Sequence, residues 1–105
     1  MKAVLSCHMI RSFLDQASED LFCGRSSEAA RKALPQSLWG KAAKKLDALD
    51  SAAQLADLRI PPGNRLEALK GDRKGQHSIR INEQYRICFV WTEVGPEDVH
   101  VVDYH

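Results

Sequence analysis

The feature that most constrains the fold is a series of three strand-like segments, closely spaced, near the end of the chain. Residues 76–81 alternate in polarity, residues 85–93 are rich in β-formers, and residues 99–105 form a third apolar run. The links between them, "NEQ" at 82–84 and "VGPED" at 94–98, are too short for the crossover that parallel neighbours need. The spacing therefore predicts antiparallel strands joined by turns.

The first half of the chain has a helical pattern instead. Residues 15–24 predict a short helix that ends at Gly24, and residues 28–34 predict a weaker extra turn. A longer helix is predicted from Pro35 to about Ala53. Its apolar stripe has steps of four, four, three and four residues, while its lysines fall on the solvated side. The stripe consists of Leu38, Ala42, Leu46, Leu49 and Ala53.

The two halves meet at "IPPGN" (60–64), which breaks any helix. Beyond the three strands above, "MIRSF" (9–13) and "RLEAL" (65–69) are strand candidates. The predicted fold class is α+β, with N-terminal helices on one face of a twisted, mainly antiparallel sheet of about four to five strands. The other face is left for solvent or a ligand. Residues 9–105 are expected to form one domain, with residues 1–8 as an extension and Met9 as an alternative start.

Composition excludes several classes of function. No apolar run approaches the roughly 18 residues that a membrane span needs, and the first residues lack a signal-peptide pattern. The odd cysteine count (Cys7, Cys23 and Cys88) has no metal-type spacing, so we interpret these residues as reduced thiols in the core of a cytoplasmic protein. No Walker loop, nucleophile motif or convincing metal-ligand set is present, and we expect no cofactor.

Charge is distributed unevenly. Residues 59–86 carry seven Lys or Arg against three acids, whereas residues 87–105 carry four acids and no Lys or Arg. Part of the excess lies in the glycine-bracketed segment "KGDRKG" (70–75). Such a loop can follow a phosphate backbone, or it can be an ordinary solvated hairpin loop.

Two further features combine polar groups with an apolar setting. Arg86 lies within the apolar strand 85–93, where it either meets an anion or packs its stem and reaches water with its head. The chain ends on Asp103, Tyr104 and His105. These side chains can donate, accept and transfer protons near neutral pH, but they can equally form a frayed polar tail.

Three segments together resemble a known family. "MIRSF", "PPGNRLEALKGDRKGQHSIRINEQYRICFVW" and the terminal "VVDYH" are similar, in this order, to the HigB-like host-killing toxins of the RelE superfamily. The resemblance covers about residues 9–105. It implies the same α+β arrangement, with helices on one sheet face and the nucleic-acid site on the other.

The resemblance also implies an activity and partners. HigB-like toxins are metal-independent endoribonucleases that cut messenger RNA on the ribosome. A helix-turn-helix, HigA-like antitoxin neutralises them and binds their operator DNA. By the family pattern, the catalytic residues are Glu67, Arg86, Asp103, Tyr104 and His105. Contacts to RNA or the ribosome are expected from Lys70, Arg73, Lys74, Arg80 and Gln84.

Glu67 departs from the pattern, because some relatives carry a His there that takes part in acid–base chemistry. As a carboxylate beside cations, Glu67 either acts as a base or orients a cation, which leaves proton transfer to His105. Two other functions stay open on the same fold. One is a non-enzymatic inhibitor that binds DNA gyrase, and the other is an inactive homologue that binds only the antitoxin.

Overall fold

The computed structural model describes residues 9–103 of the chain. Four strands form one sheet with every neighbouring pair antiparallel, in the order β1-β2-β3-β4. Helices packed with this sheet confirm the predicted α+β class. The elements are α1 (Gln16–Cys23), α2 (Glu28–Ala33), α3 (Trp39–Ser51), β1 (Glu67–Ala68), β2 (His77–Arg80), β3 (Tyr85–Thr92) and β4 (Gly95–Asp103), with 3-10 turns at Gln36–Leu38, Leu55–Arg59, Pro62–Asn64 and Gly71–Arg73.

Helix α1 begins and ends as predicted. The Asp15 side chain accepts a hydrogen bond from the Ser18 backbone N–H at 2.8 Å, which satisfies one of the free donors at the helix start. Gly24 ends the helix in the left-handed region, with φ of 79°. Helix α1 is held to the sheet by the Ser18 hydroxyl, which accepts from the Val101 N–H at 2.9 Å.

Helix α3 carries the predicted apolar stripe, but it is shorter than predicted. Ala42, Leu46 and Leu49 are fully buried, as the periodicity requires. Residues Gln36–Leu38 form a 3-10 turn, and the α-helix ends at Ser51, so Ala52 is buried and Ala53 is exposed. The prediction of a single helix reaching Ala53 was therefore wrong at both ends.

The hydrophobic core lies between the helices and one face of the sheet. Alternation along β3 places Tyr85, Ile87, Phe89 and Trp91 on this face, as predicted, and Ile87 and Phe89 are fully buried. Burying side chains of this size contributes about 1.5–3 kcal/mol each to folding. The remaining buried core side chains are Leu21, Ala30, Leu34, Ala52, Leu58, Ile79, Ile81 and Val99 together with the buried α3 stripe.

Residues 9–13 do not form the predicted strand. A single parallel bridge joins Phe13 to Val99, and backbone hydrogen bonds flank it, including those from Arg11 N–H to the Pro96 carbonyl oxygen at 2.7 Å and from Val99 N–H to the Ser12 carbonyl oxygen at 3.1 Å. The first two residues of the segment are held by a side chain instead. The Asp50 carboxylate accepts hydrogen bonds from the backbone N–H groups of Met9 and Ile10 at 2.8 and 2.9 Å. A carboxylate from α3 thus satisfies donors that a neighbouring strand was expected to satisfy.

Residues 94–98 were predicted as a turn, but β4 already begins at Gly95. The turn contains only two residues, because Thr92 pairs with Gly95 across it. Two local distortions explain the difference. Asp98 has φ of 53°, and the register between β3 and β4 shifts between Cys88 and Val90, so an irregular strand continues where the sequence pattern is broken.

Candidate active site

The sheet face opposite the core carries two rows of side chains, most of which are polar or charged. Paired residues on neighbouring strands point to the same face. Glu67 pairs with Ser78, Ser78 with Cys88, and Cys88 with His100, which makes one row across all four strands. The next row consists of Arg80, Arg86 and Val102. We call this the open face, because the core residues of β3 point the other way.

Arg86 is at the centre of the open face, and its side chain is only 11 % exposed. Its Nε donates to Ser78 Oγ at 2.8 Å, and its Nη2 donates to the Arg65 carbonyl oxygen at 2.6 Å. Arg65 presents that carbonyl from a left-handed backbone conformation, with φ of 47°. This geometry excludes the interpretation in which the Arg86 head simply reaches water, because the guanidinium is held at one place on the sheet.

Glu67 forms an ion pair with Arg86, with Oε1 and Nη2 3.4 Å apart. The Glu67 side chain is 58 % exposed, so water screens the pair, which contributes little to stability. The arrangement places a carboxylate beside the guanidinium, as the cation-orienting interpretation of Glu67 requires. It also leaves the carboxylate accessible from solvent.

Arg80 faces Arg86 across β2 and β3, with like charges directly opposite each other. Such pairs are unfavourable without an anion nearby. Arg80 also lines a cavity of 420 Å³, whose other charged lining residues are Lys41, Lys45 and Arg65 together with one acid, Glu83. Lys45 was expected to be solvated, but it is half-buried and donates to the Asn64 side-chain oxygen. Burial, and then the charge of Lys41, lowers the pKa of the Lys45 ammonium.

The basic loop, which we define as residues 70–76, contributes the remaining cations. Lys70 and Lys74 are exposed, whereas Arg73 is half-buried. Arg73 Nη1 lies 3.2 Å from Gln76 Oε1 and 3.0 Å from His100 Nε2. His100 is 5 % exposed and was not among the predicted site residues. The register pairs it with Cys88 on the open face, so the strand alignment is the signal that could have identified it.

Asp103 is the last residue of β4. It pairs with Tyr85 and is therefore on the core side of the sheet, while its neighbour Val102 pairs with Arg86. Its carboxylate accepts from Gln84 Nε2 at 3.1 Å, which brings two of the predicted site residues together. Tyr104 and His105 lie outside the described residues.

Cys88 reports on the electrostatics of the open face. Burial raises the pKa of its thiol, while the charges of Arg73 and Arg86 act in the opposite direction. Cys88 pairs with Ser78 and with His100, which are the contacts of Arg86 and Arg73, so the thiol lies between the partners of the two guanidinium groups. Of the cysteines interpreted as core residues, Cys88 is buried but Cys23 is exposed, because Cys23 is the last residue of α1, directly before Gly24. Cys7 lies outside the described residues.

Residues 9–103 contain no group of three His, Cys, Asp or Glu side chains that could hold a metal ion. In the same part of the chain, no helix is both long and apolar enough to cross a membrane. The titratable and charged groups that the open face carries are guanidinium, ammonium, carboxylate and imidazole groups. Clustered cations of this kind are suited to an anion with several negative oxygens.

Helices on one face of a four-stranded antiparallel sheet, with cations on the other, define the class as a RelE-like α+β protein. Residues 12–105 match the family model described as the RelE-like toxin HigB of type II toxin–antitoxin systems. The chain belongs to this family of HigB-like toxins. It is 40 % identical to Toxin HigB-1 of Vibrio cholerae over 85 residues, which cover 81 % of this chain and 86 % of the relative.

A second relative is an uncharacterized protein of Haemophilus influenzae. It is 39 % identical over 56 residues, which cover 53 % of this chain and 55 % of that protein. Because it has no described activity, it supports the likeness in sequence and adds nothing about function.

Proposed function

We propose that this type II toxin is a ribosome-dependent endonuclease that cuts messenger RNA in the cytoplasm without a metal ion. The observation that carries the proposal is the guanidinium of Arg86, held at the centre of the open face with Arg73 and Arg80 nearby. Three cations on one surface, two of them opposite each other, favour a ligand with closely spaced negative charges. A phosphodiester backbone has this property.

The proposed reaction requires a base, an acid and a cation. The base removes the proton from a 2′-hydroxyl, whose oxygen attacks the adjacent phosphorus. The bond from phosphorus to the 5′-oxygen breaks, and the acid protonates that oxygen. The products are a 2′,3′-cyclic phosphate and a free 5′-hydroxyl. Arg86 stabilises the charge that grows on the phosphate oxygens during this step.

We assign proton transfer to His105, assisted by Asp103 and Tyr104, by the family pattern. Glu67 is assigned as the residue that orients Arg86, in line with their ion pair. Lys70, Lys74 and Gln84 are assigned to RNA or ribosome contacts. Phosphate contacts of this type increase affinity more than sequence selectivity.

We also propose that a HigA-like, helix-turn-helix antitoxin neutralises this toxin and that the toxin meets operator DNA only through that partner. Membership of a type II toxin family implies an antitoxin. A pull-down with the product of the neighbouring gene tests the identity of this partner and whether it docks on the toxin.

Induced expression followed by mapping of transcript 5′ ends tests the nuclease directly. The expected result is new 5′ ends within translated messages, absent when translation initiation is blocked. Intact transcripts together with inhibited DNA gyrase would instead support the non-enzymatic inhibitor. Intact transcripts without growth arrest would support a homologue that binds only the antitoxin.

A further inference from the structure

The basic loop reaches across the open face of the sheet through the side chain of Arg73. It connects β1 to β2, yet Arg73 at its centre reaches His100 on β4, which is at the far edge of the sheet. Gly71 and Gly75 bracket this part of the loop with φ of 64° and 96°, a region that favours glycine. The contact between Arg73 and His100 therefore links the two outer parts of the sheet across its polar surface.

The hydrogen bonds determine which nitrogen of His100 carries its proton. His100 Nδ1 lies 2.7 Å from the Asp98 carbonyl oxygen, which only accepts, so Nδ1 is the donor. Arg73 Nη1 lies 3.0 Å from His100 Nε2, and a guanidinium only donates, so Nε2 is the unprotonated acceptor. Both ring nitrogens are thus used by a neutral imidazole. His100 offers Arg73 a lone pair without adding a negative charge to the site.

Arg73 and Arg86 lie on the same part of the face, because Arg73 contacts His100 and Arg86 contacts Ser78, and both of these residues belong to the row that crosses all four strands. The two cations repel each other, and each needs an acceptor to stay there. Arg86 has Ser78, the Arg65 carbonyl and Glu67. Arg73 has Gln76 from its own loop and His100 from the sheet. Of these two acceptors, only His100 ties the loop to another strand.

We propose that His100 is a positioning residue that holds Arg73, and with it the basic loop, over the cleavage face, where Arg73 binds an RNA phosphate beside Arg86. This role rests on the proposed nuclease function. His100 itself does not touch the reacting atoms. The RNA phosphate meets a guanidinium that is already in place, so less side-chain entropy is lost on binding.

Two substitutions at position 100 separate positioning from general stability. In His100→Gln the side-chain oxygen takes the place of Nε2 and still accepts from Arg73, but the bond to Asp98 is lost. In His100→Asn the side-chain amide takes the place of Nδ1 and still donates to Asp98, but nothing reaches Arg73. Each variant removes one hydrogen bond, so similar melting temperatures are expected for the two.

The first measurement is the Kd for an uncleavable RNA oligonucleotide. The second is the rate of cleavage at increasing ribosome concentration in a reconstituted translation mixture, which gives kcat and KM. His100→Asn is expected to weaken both Kd and KM roughly tenfold, the size of one hydrogen bond to a charged group, with kcat within about twofold. His100→Gln is expected to retain the wild-type values. Adding His100→Asn to Arg73→Ala is expected to cause no further loss, because His100 acts through Arg73.

Lys32→Ala is the matched control for the loss of one surface cation, since Lys32 is exposed on α2 and pairs only with Glu28 among the described residues. It is expected to leave Kd unchanged. The positioning role would be wrong if His100→Gln and His100→Asn had the same Kd as each other and the same KM as each other. It would also be wrong if adding His100→Asn to Arg73→Ala weakened Kd by a further factor of about ten. If the wild-type protein cuts no transcript, the nuclease proposal is wrong. If the Kd for the oligonucleotide still differs between His100→Asn and His100→Gln in that case, the positioning role of His100 is retained.

Discussion

Replacing Arg86 with alanine is expected to slow RNA cleavage by about 10²–10³-fold, since it removes a preorganised cation from the charge that develops on the phosphate. The same change also affects stability. Ser78 is fully buried, and its hydroxyl accepts from Arg86 Nε at 2.8 Å. Leaving that buried hydroxyl without its partner reduces the free energy of unfolding by about 1–3 kcal/mol.

The structural part of the effect has a matched control. Ser78→Ala breaks the same hydrogen bond from the other end, but it leaves the guanidinium, its bond to the Arg65 carbonyl and its ion pair with Glu67 in place. Ser78→Ala is therefore expected to lose the part of the stability that depends on this one hydrogen bond, and Arg86→Ala is expected to lose at least as much. For a domain near this size, each kcal/mol lowers the Tm by roughly 4–8 °C. Only Arg86→Ala is expected to lose most of its cleavage rate.

Both variants are assayed in a reconstituted translation mixture, at a temperature at which circular dichroism shows each to be folded. The quantity compared is the rate of appearance of new transcript 5′ ends at saturating ribosome concentration. An Arg86→Ala rate within threefold of wild type, with the stability loss present, would refute a catalytic role and leave Arg86 as a structural residue. Equal rate losses in both variants would show that the effect comes from distortion of β2 and β3.

Four other substitutions test separate parts of the structure. Glu67→Gln is expected to retain cleavage and to tighten RNA binding up to about tenfold if Glu67 orients Arg86, whereas a loss of 10² or more in rate would identify Glu67 as the base. His105→Ala is expected to abolish cleavage without changing antitoxin binding in a pull-down, and full toxicity on expression would exclude a catalytic His105. Hydrogen bonds from Ser27, Gln16 and Arg25 lower the pKa of Asp20 from its ordinary value of 3.8. The Asp20 carboxylate therefore stabilises the fold fully above that pH, and this stabilisation is lost as the pH falls through the lower pKa of the folded state. The difference in urea midpoint between wild type and Asp20→Asn is expected to shrink below about pH 4, and a constant difference would contradict this. Gly95→Ala is expected to lower the free energy of unfolding by roughly 1–3 kcal/mol or more. The reason is that Gly95 has φ of 131° and that an added Cβ would lie 2.1 Å from the Met9 carbonyl oxygen. Gly63→Ala is the control in the same thermal melt, because Gly63 has open space around it.

Several parts of the fold could be predicted because they depend on short-range periodicity. The stripe on α3 recurs at the helical period, and Ala42, Leu46 and Leu49 are buried accordingly. The strand faces of β3 follow from alternation, and Gly24 ends α1 because it readily adopts a positive φ. The errors occurred where tertiary contacts override the local pattern. Asp50 replaces a strand partner for residues 9–10, and an irregular β4 continues through Asp98.

The candidate site could be predicted only as a set of residue types. The basic segment 59–86 and the unusual Arg86 are visible in the sequence, since charge and polarity need no fold to be counted. The sequence left two interpretations of Arg86 open. Its 11 % exposure and its bond to the Arg65 carbonyl, a group 21 residues away, decide between them. Ser78 could not be predicted as a partner until the register of β2 and β3 was known.

The amino-acid sequence by itself determined that this chain has an α+β fold, with helices before an antiparallel sheet, and a cationic segment at residues 59–86. Those properties depend on side-chain period and charge, which are local. The tertiary structure decided which cations share a surface and what holds them there. Arg73 and His100 are 27 residues apart in the chain, and only the packing of the basic loop across the sheet brings their nitrogens within 3.0 Å.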